Sequence, residues 1–188
     1  VVETVLRLKL NLVIPASFLD LDNPPEKCLA DCVAERGIYL SQHHIEPLGL
    51  SHHTFGNYCR KYHKTGECSY LTNPELMEEV WTFYARKWAG YDNVVWQIGL
   101  RGKGDRPVWQ EDTPTEEELK NYGQFISKAY RKQKEIVLDA TKGKARHFTS
   151  TLWMEGSMLM KKGFLEFPED VIIVFADAGP NQMYGEEY

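Results

Sequence analysis

Apolar positions along the chain recur with two periods, and the two alternate. Val5 to Ile14, "VLRLKLNLVI", is apolar at nearly every second position and reads as a first strand. Pro24 and Pro25 open a helix through "PEKCLADCVAERG" that stops at Gly37, and "IYLSQ" follows as a short second strand near residues 37–41. Asn73 as N-cap, Pro74 in the first turn and Gly90 after the last turn bracket a helix over "NPELMEEVWTFYARKWAG". "NVVWQIG" then holds a third strand near residues 93–98. The longest helix starts at a cap on Thr113 or Thr115, with Glu116 to Glu118 in its first turn, where carboxylates oppose the helix dipole. "HFTSTLW" and "DVIIVFAD" hold the fourth and fifth strands, near residues 147–152 and 171–176, with a short helix "EGSMLMKKG" between them.

Strands alternating with helices predict an α/β fold on a parallel sheet, either doubly wound and open or part of a (β/α)8 TIM barrel. The polar residues favour the barrel. They follow the strands: "PASFLD" after the first, "QHHIEPLG" after the second, "LRGKGD" after the third, "WMEG" after the fourth and "ADAGPNQ" after the fifth. Catalytic groups of a barrel collect at strand C-terminal ends. An open sheet holds its ligand in a similar place. In either case the five strands are expected as parallel neighbours with their C-terminal ends on one side.

Composition narrows the function classes. The 188 residues, 43% hydrophobic, suffice for one soluble domain with a single core. A net charge of −5 gives no electrostatic reason to expect nucleic acid or an anionic membrane as partner. No run approaches the about 18 apolar residues of a membrane span, and Glu3, Arg7, Lys9 and Asn11 interrupt the first segment too often for the apolar core of a signal peptide. The chain starts in mid-strand without Met or a leader, and is expected to be a portion of something longer. Aromatic content of 12% is core filling first and a mild hint of a carbohydrate site second. Cys59, Cys68, His52, His53 and His63 lie close together, but without C-x-x-C or H-x-x-x-H spacing. Packing thiols or a Cys59–Cys68 disulfide are favoured there over zinc. Cys28 and Cys32 stand four apart on a helix, where buried thiols are common.

One stretch combines charge and flexibility: "LRGKGD", directly after the third strand, holds Arg101, two glycines and Asp105. Together with "LRLKLNLVIPASF", "GIYLSQHHIEPLG", "LWMEGSMLMKKG" and "PEDVIIVFADAG", it occurs in the order and spacing of the catalytic barrel of glycoside hydrolase family 115, which the chain resembles over nearly its whole length. The resemblance implies a (β/α)8 TIM barrel of which these residues supply about five of eight βα units. The rest of the barrel and accessory domains would belong to a larger, secreted or periplasmic protein. It also implies an inverting α-glucuronidase that removes (4-O-methyl-)glucuronic acid from xylan, with no cofactor and no metal. "HHIEP" corresponds to the family's "HHEP"-like segment and marks His44 and Glu46 as substrate-binding, with Ile45 where members often have His. Arg101, Gly102, Gly104 and Asp105 match "RGxGD", and Glu155 matches the glutamate of "YKE". "ADAGPNQMYG" keeps Asp177 of the "DDNWG" signature, with Ala178 and Gly179 where a second Asp and an Asn stand.

Glycoside hydrolysis needs a protonated acid at the leaving oxygen and a carboxylate that activates water, about 6.5–9.5 Å apart when configuration inverts. Asp105, Glu155 and Asp177 follow three consecutive strands, so any two can form that pair. Asp105 as general acid with Glu155 as base is the assignment favoured here, the reverse remaining open. Arg101, by its planar fork, suits a uronic acid carboxylate. Gly102 and Gly104 are expected to let the backbone turn and approach a ligand. Each residue also has a plainer reading: Asp105 as a turn residue, Glu155 as a first-turn helix carboxylate, His43 and His44 as solvated loop residues, and His52 and His53 as the start of a helix. Two functional alternatives stand beside the glucuronidase: a barrel of the same ancestry that binds or cleaves another glycan, and a non-catalytic carbohydrate-binding scaffold.

Overall fold

The computed structural model describes residues 2–15, 19–110, 113–152 and 154–175. Five strands, β1 (Leu12–Val13), β2 (Tyr39–Ser41), β3 (Val94–Gln97), β4 (His147–Leu152) and β5 (Val171–Phe175), form one parallel sheet in chain order. Each pair is in continuous register, from Leu12 beside Tyr39 to Leu152 beside Phe175. The order never reverses. A doubly wound sheet reverses at its switch point, so this winding agrees with a section of barrel wall.

Helix α1 (Val2–Arg7) precedes β1, and α2 (Pro24–Ala34), α3 (His52–Tyr62), α4 (Pro74–Trp88), α5 (Glu116–Ala140) and α6 (Glu155–Lys161) fill the connections. Two carry reciprocal N-terminal caps. Ser51 and Thr54 close the start of α3, and of the two candidate caps for α5, Thr115 pairs with Glu118. Satisfying these first-turn N–H groups typically stabilises a helix by about 1 kcal/mol. Asn73 precedes α4 as expected, but its amide bonds the Glu67 carbonyl instead of capping the helix.

The helices cover one face of the sheet. Leu40, Val94, Trp96, Phe148 and Leu152 point into that layer and are buried, against Trp81, Tyr84 and Trp88 of α4 and Ile126, Tyr130 and Val137 of α5 within the core. Three of the five tryptophans are thus core residues. On the opposite face Ile172 and Val174, in register with Thr149 and Thr151, are 57% and 41% exposed.

The first strand departs from expectation. Of Val5 to Ile14, β1 keeps only Leu12 and Val13, and residues 2–7 are helical. The cause is pairing: β2 offers partners for these two residues, and Tyr39 N–H donates to the Asn11 carbonyl (2.8 Å). Upstream there is no ladder, and Leu8 N–H bonds Thr4 while Leu10 N–H bonds Val5. A local turn satisfies backbone groups that an unpaired extended segment leaves open. The alternating leucines Leu6, Leu8 and Leu10 are consequently exposed.

Candidate active site

The site is built where β2, β3 and β4 end. Beyond Gln97 the chain leaves the sheet through Ile98, Gly99 and Leu100, all buried, and α5 clamps this exit. Gln133, fully buried, accepts Gly99 N–H on Oε1 at 2.8 Å and donates Nε2–H to the Gly99 carbonyl at 2.7 Å. Both backbone groups two residues before Arg101 are therefore fixed by one side chain. Gln97 does similar work across the strands. Its N–H donates to Gln42 Oε1 (2.9 Å), and its own Oε1 accepts from the Thr149 and Thr151 hydroxyls, each at 3.2 Å. Pattern reading missed Gln133 and Gln42. The signal for Gln133 was present, a glutamine inside the apolar stripe of Ile126, Tyr130, Ile136 and Val137.

The loop that follows closes on itself. Gly102 N–H donates to the Arg106 carbonyl at 2.8 Å, and a Cβ on Gly102 would overlap the Pro107 carbonyl. The close approach that requires glycine at position 102 is therefore to the loop's own backbone. Gly104 (φ +69°) and Asp105 (φ +60°) both adopt left-handed conformations. For Asp105, which has a Cβ, that conformation costs on the order of 1 kcal/mol and persists only where surrounding contacts impose it. Arg101 imposes it, with Nε–H donating to Asp105 Oδ1 at 2.8 Å and Nη2–H to the Asp105 backbone carbonyl.

The remaining nitrogen, Nη1, donates to Glu155 Oε1. Glu155 opens α6 directly after Met154, another left-handed residue at φ 40°. The helix is held in place by buried Leu159 and, beyond it, by Glu166 N–H donating to Ser127 Oγ of α5 at 2.9 Å. Arg101 thus lies between two carboxylates, its side chain 10% exposed against 11% for Glu155 and 35% for Asp105. Two oxygens bonded to one planar guanidinium cannot be much more than about 8 Å apart, given hydrogen bonds near 3 Å.

Residues after β2 complete the group. His44 Nε2–H donates to Asp105 Oδ2 at 3.1 Å, so Asp105 accepts from both sides. Burial alone would raise the Asp105 carboxyl, but hydrogen bonds and charge from His44 and Arg101 outweigh it and hold the group below its ordinary value. The His43 ring packs against His44 at 4.2 Å between centroids, and its Nδ1 is buried without a hydrogen-bond partner among the described residues. Burial and the neighbouring His44 hold His43 below its ordinary value, against the opposing pull of Asp105. Both histidines are half-buried, not the solvated pair the plainer reading allowed.

Of the residues expected here, four are linked in series, Glu155 to Arg101, Arg101 to Asp105 and Asp105 to His44. Glu46 is buried at 4% exposure in the His44 loop, where it precedes the turn Pro47–Gly49. Asp177 lies outside the described residues. His52 begins α3, as the plainer reading held. Cys59 and Cys68 are free thiols and not a disulfide, and burial pushes Cys68 up to about 12. Among the described residues no three His, Cys, Asp or Glu side chains are placed to share a metal, and no helix is long and apolar enough to cross a membrane.

Carboxylates flanking a cation at strand C-terminal ends are groups that can exchange protons with a bound ligand and hold an anionic one. No curated protein matches the chain. The family model of Glycosyl hydrolase family 115 matches residues 1–184, and the chain belongs to that family of glycoside hydrolases.

Proposed function

We propose that this site removes a uronic acid, glucuronic or 4-O-methylglucuronic, from a xylan-type glycan with inversion, using Asp105 and Glu155. The observation that carries the reading is the arginine shared by the two acids. A neutral-sugar hydrolase has little use for a buried cation between its acids, because Arg101 stabilises both as anions and opposes proton donation. A uronic acid gives it one. An entering uronate is a better-oriented partner for part of the guanidinium and replaces Glu155 there. Glu155 then loses its cation and gains a neighbouring negative charge, and both changes favour its protonated form. Asp105 keeps Arg101 Nε and His44.

This logic assigns the roles in the reverse of the order first favoured. Asp105, lowered by Arg101 and His44, is the base that activates water, and Glu155, released by substrate, is the acid at the leaving oxygen. The limit of about 8 Å overlaps the lower part of the roughly 6.5–9.5 Å range that an inverting pair uses. Charge on the substrate thereby switches on the acid, so a sugar lacking the carboxylate leaves Glu155 paired and unreactive. The exposed inner face carrying Ile172 and Val174 supports closure of the barrel by further strands of the parent protein.

Proton NMR of the full-length protein acting on glucuronoxylan oligosaccharides tests the reading. Release of the β-anomer of glucuronic acid first is expected. Release of neutral sugar alone, or of the α-anomer, contradicts it.

A further inference from the structure

Three cations stand on the loop that carries Asp105, and the ion-paired group uses only one of them. Arg101 is nearly enclosed between its two carboxylates. Lys103 and Arg106 are exposed, and among the described residues neither side chain makes a hydrogen bond or an ion pair. The turn keeps both close to Arg101. Consecutive Cα atoms are about 3.8 Å apart, so Lys103 starts within about 8 Å of Arg101. Gly102 N–H, donating to the Arg106 carbonyl, brings Arg106 back across the turn, and Arg101 holds the Asp105 carbonyl between them. Lys103 also borders a cavity of about 360 Å³ together with Arg101 and Asp105, and His52, exposed at the start of α3, borders it too.

Charge gives the two free cations a task. Arg101, Asp105 and Glu155 together carry one net negative charge, in a chain whose own net charge is −5. A uronate that replaces Glu155 on Arg101 therefore approaches a group that repels it. Lys103 and Arg106 reverse that sign at the turn. Their base is fixed by the turn's own hydrogen bonds, so they are presented at set positions, and a preorganised site loses less freedom on binding. A glycan substituted by uronic acids offers carboxylates repeatedly along its length, and the carboxylate next to the one held at Arg101 is the group these cations can reach. Resting on the reading of Arg101 as the uronate site, we propose that Lys103 and Arg106 form a second acidic subsite, which binds a neighbouring uronic acid of the same glycan. The enzyme then prefers closely substituted segments of its polysaccharide. The preference is modest and salt-sensitive, because exposed ion pairs are individually weak and screened.

Calorimetric binding to the full-length protein tests this without relying on hydrolysis. Three xylo-oligosaccharides serve as ligands, carrying one glucuronic acid, two on neighbouring sugars, or one glucuronic acid beside one glucose. Each side group is joined through sulfur, so that none is cleaved. The two-acid ligand is expected to bind about fivefold more tightly than either of the others at low ionic strength, with an advantage that shrinks as salt is raised. Replacing both cations in Lys103→Gln/Arg106→Gln, at positions too exposed to disturb the fold, is expected to leave only the about twofold advantage of offering either acid to Arg101. An advantage of no more than about twofold in the unaltered protein overturns the proposal. So does an advantage that the glucose-bearing ligand shares, one that salt leaves unchanged, or an equal loss for the one-acid and two-acid ligands in the variant. Binding of none of the three overturns the uronate reading of Arg101 as well, which separates that failure from failure of the second subsite alone.

Discussion

The two ends of the same sheet both carry basic side chains, and they treat them differently. At the C-terminal end Arg101 is nearly enclosed and shares its nitrogens between Asp105 and Glu155. At the N-terminal end Lys142, Lys144, Arg146 and His147 line a cavity of about 290 Å³ with Tyr39 and Tyr91, and all four are exposed. Arg146 donates there to the backbone carbonyls of Gly143 (2.7 Å) and Ala145 (3.4 Å) of its own turn. The number of basic groups does not separate the two ends, since Lys103 and Arg106 follow Arg101 in its loop. Burial does, because a cation withdrawn from water must be compensated by specific partners, whereas an exposed one is stabilised by solvent wherever it points. Enclosure therefore separates the candidate catalytic end from the solvated one.

Substitutions at the two ends sharpen that difference. Arg101→Ala leaves Glu155 without its cation in a nearly enclosed position, and a loss of about 3 kcal/mol or more in denaturant unfolding is expected. Arg146→Ala, at the other end, is expected to change stability by no more than about 0.5 kcal/mol. Equal costs at both ends would break the comparison. Gln133→Leu comes next. It strands the Gly99 N–H and carbonyl, and a destabilisation of about 2 kcal/mol is expected, together with faster hydrogen exchange at the Gly99 amide. An unchanged exchange rate would mean that α5 does not hold the loop.

The smallest effect concerns His44. Because the Asp105 carboxyl is held below its ordinary value of 3.8, its ionised form is favoured by folding, and the stability it brings is present above that value and lost as pH falls through the lowered one. A base with this property keeps the acidic limb of the kcat/KM profile below the ordinary carboxylate range. His44→Ala removes one donor and moves that limb to higher pH, while at neutral pH turnover falls by only about fivefold, the effect of one hydrogen bond. A limb that stays in place would assign it to another group.

Much of this arrangement was legible in the chain. Strand-ending positions of Arg101, Asp105 and Glu155 followed from apolar runs that stop abruptly, and their strands are where the period placed them. What stayed hidden depends on tertiary partners. Alternation from Val5 to Ile14 promised a strand, but pairing with β2 reaches only Leu12 and Val13. Gly102 looked free to meet a ligand until the Pro107 carbonyl occupied the space. The Arg101–Glu155 pairing was invisible too, since a contact across 54 positions leaves no local mark, and the proposed exchange of acid and base rests on it.

Leaving-group dependence in the full-length protein tests that inversion most directly. An acid donates to the leaving oxygen, so its loss matters little when the departing group is already stable as an anion; a base gains nothing from a better leaving group. Glu155→Gln and Asp105→Asn are each expected to lower turnover on glucuronoxylan fragments by roughly 10²-fold or more. On a nitrophenyl α-glucuronoside Glu155→Gln should recover most of its activity while Asp105→Asn remains impaired. Recovery by Asp105→Asn with Glu155→Gln still impaired contradicts the assignment, and near-normal turnover of both variants on the xylan fragments contradicts the catalytic pair itself.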